Sequence, residues 1–228
     1  GPSDVTSALL RIPRHWIVWT VALFALTFVL GFAAKAVPAL RLAGLDDGIN
    51  RAHSPFADGV ALVLDELDRP VVVAGILVVV FVVLLFVRGW KAALGACAVT
   101  GLGWITTLVV KTIVAQPRPT TGGLVHTLHV SPATLSYPSG HVVFATALVT
   151  ALVMVCRGPV ARAVVVVLGV VFVVVVAWSR LYLGVHFPTD VVGGVLNGVA
   201  GVLLFAGLWN LAAARVFAER REPARVTV

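Results

Sequence analysis

Three short motifs set three cations, two histidines and a carboxylate beside apolar blocks in this 228-residue chain. The first runs from Lys111 to Pro119 and holds Lys111 and Arg118, the latter bracketed by Pro117 and Pro119. The second is Pro138-Ser139-Gly140-His141. The third spans residues 179–190 and holds Ser179, Arg180, His186 and Asp190. Lys111, Arg118 and Arg180 offer a point charge and two planar forks for phosphate oxygens. Two prolines hold the backbone around Arg118 extended. Ser139 and Gly140 open an apolar block, where free helix-end N–H groups bind anions; Gly140 admits close approach and Ser139 adds a hydroxyl donor. His186 and Asp190 are four residues apart, so a helix starting near Pro188 lets the carboxylate reach back to the ring. That contact fixes the imidazole tautomer and sharpens the other nitrogen as nucleophile or base.

Together these groups suit phosphoryl transfer. The cations and amides bind the phosphoryl group, one oriented histidine attacks it, and a second protonates the leaving oxygen. The attacking histidine must be neutral and the donating one protonated. The cations supply the charge that a bridging metal supplies elsewhere, so no cofactor is expected. A zinc site built from His141, His186 and Asp190 is the competing chemistry, and three neighbouring cations disfavour it.

The rest of the chain must bring these motifs together. It is 60% hydrophobic and only 12% charged, far from the balance of a soluble domain, and the apolar residues fall in blocks. We expect a single all-α polytopic membrane domain with six transmembrane helices: Trp16–Ala34, Pro70–Val87, Ala92–Val110, Ser139–Cys156, Ala163–Trp178 and Asp190 to about Leu211. The net charge of +7 raises the question of nucleic acid, but the basic residues cluster at block ends, which is a topology signal. The basic N-terminus, the turns Arg88–Lys91 and Arg157–Arg162, and the tail with Arg215, Arg220, Arg221 and Arg225 all share one side under this plan. Both termini are then cytoplasmic, and all three motifs meet at the outer face.

Between the first two spans, the outer segment 37–69 carries six acidic residues and an apolar stripe of Ile49, Ala52, Phe56, Val60, Val63 and Leu67, expected as amphipathic surface helices. Ser54-Pro55 should start one of them, as N-cap and first helical residue. The outer loop 112–137 is rich in Pro, Thr, Gly and Ser. Its His126 and His129 read as solvated loop residues, and Arg180–Thr189 as a second loop. Trp178 and Tyr182 read as interfacial packing. Cys97 and Cys156 lie in apolar blocks without metal-type spacing and are expected to be buried thiols. Gly1-Pro2 reads as a tag-cleavage scar. The Arg-, Val- and Ala-rich composition fits a bacterial source.

The three motifs resemble the signature of the type-2 phosphatidic acid phosphatase superfamily. That signature is Lys, six residues, Arg-Pro; then Pro-Ser-Gly-His; then Ser-Arg, five residues, His, three residues, Asp. Every position and spacing is matched here. The resemblance implies that His186 is the nucleophile, Asp190 orients it and His141 is the general acid. It implies that Lys111, Arg118, Ser139, Gly140 and Arg180 hold the phosphate, without a metal. The small size and membrane plan imply a lipid phosphate phosphatase of the bacterial inner membrane. Expected substrates are phosphatidic acid, phosphatidylglycerophosphate, diacylglycerol pyrophosphate or a polyprenyl (pyro)phosphate; the bilayer is the other partner. A phosphotransferase with a lipid or sugar hydroxyl acceptor shares the same chemistry up to phosphohistidine. An anion transporter or channel would give the His–Asp pair little purpose, and no repeat typical of transporters stands out.

Overall fold

A computed structural model describes residues 8–120, 124–128 and 135–219. Within them the chain is all-α, with eight helices: α1 (Trp16–Ala36), α2 (Gly44–Arg51), α3 (Pro55–Asp65), α4 (Pro70–Arg88), α5 (Trp90–Val114), α6 (Gly140–Val155), α7 (Pro159–Tyr182) and α8 (Pro188–Glu219). A 3-10 turn over Pro38–Arg41 joins α1 to α2. His129 and the tail residues Arg220, Arg221 and Arg225 lie outside the described residues.

Five helices, α1, α4, α5, α7 and α8, are long and apolar enough to cross a membrane by length and composition. Their outward faces are what lipid requires. Val79, Phe86, Val167 and Leu168 are all more than half exposed, a surface that water would not tolerate over such an area. The interior contacts instead use small residues. Ala92, Ala93, Ala96, Ala147, Ala151 and Ala206 share one buried cluster, where short side chains let the helix backbones approach. The multi-pass membrane character read from composition therefore holds.

The sixth expected span, α6, is shorter at 16 residues, about 24 Å of helix against a hydrocarbon core of roughly 30 Å. It is also the most enclosed helix, packed against α5, α7 and α8. α1 packs along α8, and α4 along α5. Several helix starts follow directly from sequence. α3, α4, α7 and α8 each begin at a proline, whose missing N–H costs nothing there. The α4–α5 connection is the single residue Gly89 at φ +85°, a conformation that a side chain would strain. Residues 10 and 11 dock at one end of the bundle: Leu10 exchanges backbone hydrogen bonds with the Asn210 side chain, and the Arg11 N–H donates to Met154 O.

One expectation needs correction. Arg180 is not in a loop, because α7 continues through Tyr182 and fixes Ser179 and Arg180 on its last turn. The apolar stripe across 37–69 is interrupted at Ser54-Pro55, as its sequence implies. The chain resets between α2 and α3, so Ala61 and Leu67 are buried while Phe56 and Val63 are 83% and 73% exposed. Ser54 does cap α3, its Oγ accepting from the Ala57 N–H at 3.1 Å, with Pro55 at the first helical position.

Candidate active site

All eight expected site residues fall at one end of the bundle, delivered by four elements. Lys111 sits in the last turn of α5 and Arg118 just past it. Ser139, Gly140 and His141 start α6. Arg180 ends α7, and His186 and Asp190 flank the start of α8. Ser139, Arg180, His186 and Asp190 are essentially fully buried.

The α7–α8 connection places the His–Asp pair. Asp190 is the third residue of α8. Its Oδ2 accepts from the Phe187 N–H at 2.8 Å, a reciprocal cap that locks the carboxylate at the helix start. The same Oδ2 lies 3.4 Å from His186 Nδ1. Oδ1 accepts from Gln116 Nε2 at 2.8 Å. Burial, followed by the charges of Arg118, Lys111 and Arg180, holds the His186 imidazole well below the usual histidine range, so it is neutral at physiological pH.

Ser139 is the N-cap residue of α6, but its hydroxyl makes no capping bond and has no partner among the described residues. Its backbone N–H donates to Asp190 O at 3.1 Å, tying the start of α6 to the start of α8. A buried hydroxyl without a partner is costly, and at a helix N-terminus it stands beside free backbone N–H groups.

Arg180 is the most constrained cation. Its Nε donates to Ser179 Oγ at 3.1 Å, Nη1 to Asp65 Oδ1 at 2.7 Å, and Nη2 to Ala61 O at 3.4 Å. Nη1 also lies 3.3 Å from His141 Nε2. Lys111 Nζ and Arg118 Nε both donate to Leu135 O at 3.3 Å, so the outer loop holds these two cations side by side.

Several residues at the site were not singled out from sequence. Gln116 is fully buried and bridges Asp190 to Ser136, whose Oγ it reaches at 3.0 Å. It lies inside the first motif, between the lysine and arginine, and a polar amide in that place was a readable signal. Asp65 and Asp68 counted only as acidic residues of a surface segment, and nothing local tells that they turn inward. Tyr137 is fully buried beside α1, its hydroxyl donating to Thr27 O at 2.5 Å.

Asp46, on α2, is also buried, and its Oδ1 has no partner among the described residues. Burial, then Asp190, then Asp47 push its carboxyl up to about 7. The folded protein thus keeps a proton that the unfolded chain releases near the ordinary carboxylate value. Stability is full below that ordinary value and falls as pH rises through about 7. Asp46→Asn should therefore raise the melting temperature more at pH 8 than at pH 5, measured by thermal unfolding in detergent.

His126 is not a free loop residue. Its Nε2 sits 3.0 Å from Asp58 Oδ1, its ring stacks on His53 at 4.3 Å, and its backbone is clamped by both amide ends of Asn50. Tyr182, expected as interfacial packing, is buried and donates to the same Asp58 oxygen. This cluster fastens the outer loop onto α2, α3 and α7. Among the described residues no group of three or more His, Cys, Asp or Glu side chains is placed to hold a metal ion.

A cavity of about 250 Å³ opens beside the cations, lined by Asp68, Pro70, Trp104, Ile105, Leu108, Lys111 and Gly140 among others. Ile105 and Leu108 are 49% and 62% exposed on the outer surface of α5, so an apolar path leads from the lipid-facing side to Lys111.

Comparison with known proteins identifies the family and relatives of similar fold. The model of the PAP2 superfamily matches residues 92–214, more than half of the chain. The chain is 29% identical over 196 residues to phosphatidylglycerophosphatase B of Bacillus subtilis, covering 82% of this chain and 93% of that protein. It is 52% identical over 40 residues to the putative undecaprenyl-diphosphatase YbjG of Escherichia coli, and 37% identical over 92 residues to the undecaprenyl-diphosphatase of Sulfolobus acidocaldarius. These two matches span only 20% and 42% of those proteins, and 18% and 40% of this chain. Among solved structures, the transmembrane PAP2-type phosphatidylglycerolphosphate phosphatase of Bacillus subtilis superposes with a TM-score of 0.66 at 24% identity, covering 90% of this chain and 98% of that one. Aquifex aeolicus LpxE superposes with a TM-score of 0.55 at 24% identity, covering 71% and 92%.

Proposed function

This chain belongs to the PAP2 superfamily, and from that premise we propose that it is a membrane-embedded hydrolase that acts on a lipid phosphate and works through a phosphohistidine on His186. The observation that carries the proposal is the convergence of a neutral, Asp190-held histidine with three cations and a second histidine at one end of the bundle. Lys111, Arg118 and Arg180 bind the phosphate oxygens, with Ser139 and the α6 N-terminus around Gly140. Asp190 faces Nδ1 of His186, which leaves Nε2 to attack phosphorus. The P–O bond to the lipid breaks as His141 gives its proton to the leaving oxygen. Water then attacks phosphorus and gives a proton to His141, the P–N bond to His186 breaks, and inorganic phosphate departs.

The apolar approach past Ile105 and Leu108 supports a lipid substrate entering from the bilayer. The relative matched over most of its length is named for phosphatidylglycerophosphate, and the two matched over short spans for undecaprenyl diphosphate. A lipid phosphomonoester or polyprenyl pyrophosphate is therefore the substrate class.

We place α6 as the sixth span, enclosed by its neighbours, with α2 and α3 along the membrane surface. Docking of residues 10 and 11 beside Met154 and Asn210 supports a shared cytoplasmic end for the basic N-terminus and the ends of α6 and α8. The catalytic end then faces outward.

The test is phosphate release from micellar phosphatidic acid, phosphatidylglycerophosphate, diacylglycerol pyrophosphate and undecaprenyl pyrophosphate. Activity should persist in EDTA and be inhibited by vanadate, a mimic of pentacoordinate phosphorus. Loss in EDTA with recovery on adding zinc would overturn the metal-free chemistry. Adding glycerol or a sugar as acceptor and analysing products separates hydrolysis from transfer.

A further inference from the structure

His186 has its carboxylate in Asp190, and the structure gives His141 a counterpart. Asp68 lies in the turn between α3 and α4, and its Oδ2 is 3.6 Å from His141 Nδ1. That nitrogen is buried and makes no hydrogen bond among the described residues, so Asp68 is the carboxylate facing it at ion-pair distance. The opposite nitrogen, Nε2, faces Asp65 O at 3.0 Å and Arg180 Nη1 at 3.3 Å, on the side where the phosphate-binding fork stands. The carboxylate does not hang free. Trp104 Nε1 on α5 donates to Asp68 Oδ1 at 2.6 Å and sets its rotation. Gly140 makes room for it, since a Cβ at that position would overlap the Asp68 carboxyl group. Burial raises the Asp68 carboxyl, while the Trp104 bond and the charges of Lys111, Arg180 and Arg118 act to keep it ionised.

We propose that Asp68 is the positioning residue of the acid His141, holding the Nδ1–H so that the Nε2–H points at the leaving oxygen. The proposal rests on the phosphatase reading above. The Nε2–H donates to Asp65 O at 3.0 Å. With substrate bound, the bridging oxygen takes the place of that carbonyl. As the P–O bond breaks, the proton passes from Nε2 to the departing lipid oxygen, and the ring keeps its Nδ1–H against Asp68. In the second step Nε2 takes a proton from the attacking water. Each histidine then has one carboxylate on Nδ1 and works through Nε2, which explains why Gly140 and Trp104 flank Asp68.

The test compares two leaving groups. A lipid alkoxide needs a proton as it leaves, whereas p-nitrophenolate does not. Asp68→Asn should lower kcat on dioctanoyl phosphatidic acid by about 10- to 100-fold. It should change the pre-steady-state burst of p-nitrophenolate, which reports the first step alone, by less than about threefold and leave inhibition by vanadate unchanged. Trp104→Phe should show the same pattern more weakly. In a His141→Ala background, Asp68→Asn should cost nothing further. A loss of the p-nitrophenolate burst rate equal to the loss of kcat on phosphatidic acid would overturn the proposal in favour of a structural role. Tighter vanadate inhibition with kcat retained would overturn it by showing that the carboxylate competes for the phosphate position. Full loss in both variants, with a lowered melting temperature, would also overturn it. A wild-type protein that releases phosphate from neither substrate would overturn the phosphatase reading itself.

Discussion

His186→Ala is expected to abolish phosphate release from a micellar lipid phosphate, by about 10⁴-fold or more, while the protein still inserts and folds. The size follows from the role, because no neighbouring group replaces a lost nucleophile. Retained folding follows from the partners of Asp190. After the ring is removed, its carboxylate still accepts from the Phe187 N–H and Gln116 Nε2, each at 2.8 Å, so no buried charge is stranded. A size-exclusion profile and melting temperature close to wild type, together with lost turnover, are the expected pair of results. Near-wild-type turnover by the folded variant would remove His186 from the nucleophile role. The pH profile provides a second check on the same residue. Its imidazole is held well below the ordinary histidine range, so protonation of His186 should not reduce kcat on passing down through about pH 6.5.

How far the sequence reveals this protein depends on the range of the forces involved. Span positions were readable because an apolar block of sufficient length has one solution in lipid, and α1, α4, α5, α7 and α8 lie where the blocks lie. Helix ends were less readable. Ser179 and Arg180 follow the apolar block and resemble a loop, but the Arg180 guanidinium is satisfied by Ser179, Asp65 and Ala61, so the helix runs on to Tyr182. The site motifs stood out because cations and histidines beside apolar blocks need a reason. Asp65, Asp68 and Asp46 did not, since an acidic residue in an exposed-looking segment has the same local signature whether it faces water or turns inward. Only the packing of α2 and α3 against α7 decides that. Gln116 is the intermediate case. It sat in a recognised motif, but its role depends on Ser136 and Asp190, which lie 20 and 74 residues away in sequence.

Arg180→Ala should damage stability and activity together, and a second substitution should separate them. Arg180 is 1% exposed and pairs with Asp65, whose side chain is 11% exposed. Removing the guanidinium leaves a buried carboxylate without its counter-charge, which costs about 3–5 kcal/mol. It also removes one of the three cations proposed to hold the phosphate, and turnover should fall by at least about 10³-fold. Adding Asp65→Asn replaces the stranded charge with a neutral amide, so most of the lost stability should return in the double variant. Activity should not return, because the phosphate fork is still missing. Arg180→Lys keeps the charge but cannot reproduce three separate bonds to Ser179, Asp65 and Ala61, and should retain only about 1% of the turnover. Thermal unfolding in detergent and kcat/KM on a lipid phosphate measure the two effects independently. A single Arg180→Ala variant as stable as wild type would show that the pair with Asp65 contributes nothing to the fold. A double variant that regains turnover would remove Arg180 from phosphate binding and leave that task to Lys111 and Arg118.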